Sequence, residues 1–240
     1  MEKALDGRAA ARRDIRFVQV AAAILLALTL FAFMPQYLVP LLGGDYSAPN
    51  NWMHPHAVAG FGFALLFLVQ PTLIARGNIA LHRTLGRIVA VLVVVAVVSG
   101  VGVQLGMFPA PQGDLSNRFA GAFRLFQTLP SLMIFFFGAL LLRRRTDWHW
   151  RWMYLAAFTP FNTISHRLLV NYSNMAEPDI MPLVGLLTLL PVVLLPIYDK
   201  IAHPKVHAAS WMGLAIVVVL QGVAFSMLST QFWGDLINGA

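Results

Sequence analysis

Two arginines, Arg124 and Arg167, and two histidines, His56 and His166, stand inside long apolar stretches of this sequence. A polar or charged side chain there is costly and marks a functional site by default. Asn162 sits four residues before His166, so the two share a helix face. Gln127, Thr128 and Ser131 continue the face that Arg124 begins, and Gln104 closes a neighbouring stretch. Two imidazoles with two guanidiniums could serve a haem b, with His56 and His166 as axial ligands to iron and the arginines on the propionates. The same groups also suit a carboxylate, a phosphate or a lipid headgroup. No Asp or Glu falls within the apolar stretches as delimited below, so the guanidinium charge must be met by a loop acid such as Asp45 or Glu177, by a phospholipid or by a ligand.

A second polar layer comprises Gln70, Arg76, His82, Arg83, Arg87 and His149. Arg83 and Arg87, four residues apart, could clamp one anion from successive turns. His82 and His149 could repeat the paired-imidazole arrangement. The bland reading is that both are interfacial, since tryptophans flank His149 in RRRTDWHWRW. Between the two histidines that open the second apolar stretch, helical periodicity selects His56. It shares a face with Gly60, Phe63, Phe67 and Gln70, whereas His54 falls with Val58, Phe61, Leu65 and Leu68.

These residues must be held by membrane helices. The chain has 240 residues, 58% of them hydrophobic and 11% charged, outside the range of soluble domains. Cysteine is absent, which removes disulfides, thiolate metal sites, Fe–S clusters and covalently attached c-type haem. No HExxH or Walker loop is present, and the last apolar stretch has no lysine for a retinal Schiff base. Hydropathy and turn residues predict an all-α, single-domain bundle of seven transmembrane helices, at about 17–42, 55–74, 88–107, 119–142, 153–170, 181–197 and 208–228. Prolines 191 and 196 predict a kink in the sixth.

The net charge of +7 suggests topology, not nucleic acid. Arg76, Arg83, Arg87, Arg143, Arg144, Arg145, Arg151, Lys200 and Lys205 share alternate segments with Lys3, Arg8, Arg12, Arg13 and Arg16. Asp45, Asp114, Glu177, Asp179 and Asp235 fall on the other side. The positive-inside rule then places the N-terminus inside and the C-terminus outside, with the His56 and Arg124 layer in the outer leaflet.

A histidine opening one span, Gln70-Pro71 near its end, and HRTLGR (His82 to Arg87) before the next form a combination found elsewhere. It resembles the His … His-Arg-x-x-Gly-Arg signature of an uncharacterised family of bacterial multi-pass membrane proteins, over roughly residues 52–100 and more loosely beyond. That resemblance implies a bacterial inner (cytoplasmic) membrane protein. A fainter similarity is to cytochrome b-type bundles, where histidines at two depths hold two haems. This chain departs from them in placing its inner histidines beyond the apolar spans. Three functions follow as expectations. One is a b-type cytochrome passing electrons to a quinone or redox partner. The second is a non-redox protein that binds or transports a small anion or lipid headgroup. The third is an accessory or assembly subunit of a membrane complex. All have the lipid bilayer as partner, and none involves nucleic acid.

Overall fold

The computed structural model describes residues 2–108 and 115–238, and these are helical without strands. Among the described residues six helices are long and apolar enough to cross a membrane, at Ala9–Gly43, Met53–Ala75, Ile79–Leu105, Phe119–Leu141, Asp179–Ala202 and Ala208–Met227. In chain order the elements are α1 (Glu2–Phe33), α2 (Val39–Gly43), α3 (Met53–Ala75), α4 (Ile79–Leu105), α5 (Leu115–Phe123), α6 (Leu129–Leu141), α7 (Thr146–Phe158), α8 (Phe161–Tyr172), α9 (Glu177–Ala202), α10 (Ala208–Met227) and α11 (Gln231–Asn238). Short π-helical turns join α1 to α2 (Met34–Leu38) and α5 to α6 (Arg124–Thr128).

The region expected as a fifth span is two helices, α7 and α8, parted at Thr159-Pro160. Pro160 has no N–H to continue the ladder. The Ala156 carbonyl instead accepts from the Thr159 hydroxyl at 2.8 Å. The pair is the centre of the fold. From Arg151 to Phe158 every residue of α7 except Met153 is buried, as expected of a helix surrounded by others. Trp152 lies where a side chain on Gly138 of α6 would be, so the two helices approach as closely as the missing Cβ allows.

Contacts along α7 and α8 advance steadily from one end of the bundle to the other. Arg151 meets Asp199 near the end of α9, and Tyr154 donates to the Pro191 carbonyl at 2.9 Å. Asn162 then meets Thr128, and Asn171 and Tyr172 reach the Ala32 and Phe31 carbonyls of α1. At the first of these ends α1 begins: Arg13 meets Ala202, Phe17 packs on Trp150, and Gln19 meets Thr72. The α3–α4 turn, the Arg143–Arg145 segment and the α9–α10 loop lie at this same end, which is accordingly basic. The far end carries Tyr37, His54, Gln104 and the amphipathic α11, whose Trp233 and Ile237 are buried against Ala122.

The start of α4 falls earlier than hydropathy indicated. Gly77 adopts a left-handed φ of 72°, and the Asn78 side chain caps the helix by accepting from the Leu81 N–H at 3.1 Å. His82, Arg83 and Arg87 therefore stand on a helix, not on a loop before it.

Candidate functional site

The far-end polar layer is built largely on two π turns. In each, an N–H reaches back five residues: Leu129 to the Arg124 carbonyl and Val39 to the Met34 carbonyl. Pro130 and Pro35 interrupt the ordinary ladder close to each turn. Such turns bring extra residues onto an interior face and recur at functional sites. The first turn carries Gln36 and Tyr37. The second carries Arg124, Gln127 and Thr128.

Arg124 donates from Nη1 to Gln104 Oε1 at 3.0 Å. Arg167 donates from Nη1 to Gln36 Oε1, and Gln36 donates in turn to Asn171 Oδ1 at 2.6 Å. Asn162 donates to Thr128 Oγ1 at 2.6 Å and to Gln127 Oε1 at 3.4 Å. Both arginines thus rest on neutral amides. Among the described residues no carboxylate lies within 4 Å of either. Asp45 is exposed, while Asp114 and the Glu177 side chain lie outside the described residues. Arg124 is near enough to feel the charge of Arg167, and His166 lies in the field of both. His56 also lies in the field of Arg124. Gln104 Nε2 and Arg167 Nε are buried donors with no hydrogen-bond acceptor among the described residues.

A small cavity of about 10 Å³ opens beside these groups, with Arg124, Asn162, Thr163 and His166 on one side and Phe119 and Val184 among its apolar walls. That is room for about one water-sized occupant.

His56 packs on α4, its Nδ1 3.1 Å from the Ala96 carbonyl and 3.3 Å from Ser99 Oγ. A carbonyl only accepts, so Nδ1 carries the proton and Nε2 keeps its lone pair. The His56 face of α3 buries Phe63 and Phe67, whereas Val58 and Leu65 on the His54 side are 66% and 51% exposed. His54 is itself exposed and meets the Tyr37 hydroxyl at 3.1 Å.

At the basic end, Gln70 ties α3 to α4. With its amide oriented by its neighbours, the nitrogen faces His82 Nδ1 and the oxygen accepts from the Gly86 N–H at 3.0 Å. His149 sits with Nδ1 2.9 Å from the Ala139 carbonyl. Arg76, Arg83 and Arg87 are exposed.

The strongest electrostatic feature was not legible in hydropathy. Asp199 and Arg151 form a buried ion pair, with Nη2 to Oδ1 at 2.6 Å and Nε to Oδ1 and Oδ2 at 3.1 and 3.2 Å. They are 0% and 2% exposed. Asp199 also accepts from the Ser210 hydroxyl at 2.6 Å and the His207 N–H at 3.0 Å. Trp150 covers the guanidinium, 4.2 Å from its ring centre. The expectation that no acid lies within a span is therefore corrected. The helix runs to Ala202, past the expected end at 197, and carries Asp199 inward. Beside this pair, Asp14 accepts from Tyr198 at 2.7 Å and contacts His203 Nε2 at 3.0 Å. In the loop, burial and the nearby Arg151 hold the His207 imidazole below the usual histidine range. Its neutral Nδ1 caps α10 by accepting from the Ala209 N–H at 3.1 Å.

Comparison with family models, with curated proteins and with solved structures finds no match to this chain.

Proposed function

We propose that this chain is a bacterial inner-membrane protein that holds a small anion at the far end of its bundle, beside Arg124, His166 and Asn162 and in the field of Arg167. One observation carries the reading. Two mutually repelling guanidiniums share a largely buried layer, held by neutral amides, with no described carboxylate to balance them. Leaving such charge uncompensated costs several kcal/mol, on the order of a lost buried ion-pair partner. A bound anion beside Arg124 and His166 removes that cost. The one-water cavity favours an ion the size of chloride or formate over a lipid headgroup.

The test is thermal unfolding in detergent at fixed ionic strength, with gluconate exchanged for chloride, bromide or formate. An anion at a hundred times its Kd stabilises by about 2.7 kcal/mol, so small anions should raise the melting temperature and gluconate should not. Equal melting in every salt contradicts the site.

The reading includes seven crossings, with α7 and α8 together forming the fifth and the N-terminus inside. Its support is the end-to-end run of contacts along that pair and the collection of basic residues at one end. Alkaline phosphatase fused after Ala240 should be active, and the same reporter after Arg145 inactive. The reverse pattern overturns the orientation.

A second reading, haem b with His56 as a ligand, has one observation in its favour. An Nδ1–H bonded to a backbone carbonyl is the arrangement that orients a ligating imidazole. Against it stands the cavity, since a ligand as large as a macrocycle needs roughly 300 Å³ or more and the helices would have to part. A Soret band in purified protein would establish this reading over the first. A colourless preparation from haem-replete cells would remove it.

A further inference from the structure

At the basic end, remote from the anion site, a groove of about 480 Å³ runs between α1 and α9. Arg13 and Arg16 stand at its mouth, Phe17 and Tyr198 are stacked with ring centres 3.9 Å apart, and Val20 and Ile201 form apolar walls. We propose that this groove binds one anionic phospholipid, its phosphate between the two guanidiniums and an acyl chain along Phe17 and Val20.

Three observations select this occupant. The first is charge. Asp14, the acid that stands between the two arginines in sequence, is engaged by Tyr198 and His203. Neither Arg13 nor Arg16 lies within 4 Å of a carboxylate among the described residues. Arg13 uses only Nη2, on the Ala202 carbonyl at 3.1 Å, which steers the guanidinium to the groove and leaves its other donors for a phosphate. The second is shape: cations at the water-facing mouth and an apolar run beyond them match a headgroup followed by its chain. Val20, a turn deeper than Arg16 on α1, is 60% exposed, so a free phosphate would leave that wall uncovered. The third is contrast. Arg143, Arg144 and Arg145 are also exposed at this end, yet the groove is lined by Arg13 and Arg16 instead.

Native mass spectrometry of the full chain in neutral detergent tests this, with added phosphatidylglycerol or phosphatidylcholine of identical acyl chains. The wild type should retain one phosphatidylglycerol in preference to phosphatidylcholine. A basic residue near an anionic headgroup is worth a factor of about five, so Arg13→Gln with Arg16→Gln should weaken retention about thirtyfold. Val20→Trp keeps both charges but fills the apolar wall, and should weaken it too. All three positions are exposed, and unchanged melting shows that the variants fold. The proposal is overturned if both variants retain the lipid like the wild type, or if the two lipids bind equally. It is also overturned if replacing Arg143, Arg144 and Arg145 by Gln causes the same loss, which would make binding a collective charge effect.

Discussion

Asp199→Asn is expected to lower the free energy of unfolding by about 3–5 kcal/mol, the usual consequence of removing one partner from a buried ion pair. Asp199 accepts from Arg151, from Ser210 and from the His207 backbone, and so ties α7, α9 and α10 together at one point. An amide keeps the shape but removes the charge, and its nitrogen would face donors. Arg151, 2% exposed and stacked on Trp150, would be left without a counter-ion. Thermal melting in detergent measures the loss. Replacing both partners at once, Arg151→Met with Asp199→Leu, should recover only part of it: apolar packing can match the ion pair itself, but the Ser210 hydroxyl and the His207 N–H lose their acceptor. A single variant that melts like the wild type would show that the pair is not holding these helices.

The second large effect is on ligand affinity. Arg124→Gln should weaken anion binding about tenfold to a hundredfold, the range of hydrogen bonds to charged groups, and Arg167→Gln, which acts on the cavity through its charge alone, should weaken it less. Without anion, neither variant should be less stable than the wild type, because each removes a charge that lacks a described counter-charge. Calorimetric titration with bromide and melting in gluconate give the two readings. Were a loop acid the true partner, Asp45→Asn, Asp114→Asn, Glu177→Gln or Asp179→Asn would reproduce the effect of an arginine variant on stability. That outcome would leave the polar layer a device for locking helices.

The helical, multi-span character of the chain was legible because apolar runs and turn residues alternate over its whole length. The inward side of α3 was legible because Gln70 breaks an otherwise apolar face. Span ends were less so. Hydropathy falls off at the polar run after Ile197, whereas packing against Arg151 and Ser210 draws Asp199 inward and extends the helix. Arg151 lies in a run of arginines and tryptophans, which reads as interface; only the fold shows α7 entering the core from that run. Gln36 and Asn171 were missed for another reason. Neutral amides near span ends carry no charge signal, and the π turn that aims Gln36 inward is set by bonds between residues five apart. Pro35 and Pro130, inside or beside apolar runs, were the available clues to both π turns.

The central claim, an anion held by Arg124 and its neighbours, is tested most directly by anomalous diffraction from crystals grown in bromide. The account predicts a bromine peak in the small cavity, within hydrogen-bond distance of the Arg124 guanidinium and beside Asn162 and His166. Bromide elsewhere on the molecule but none in that cavity, with a carboxylate of this chain on Arg124 instead, would contradict it.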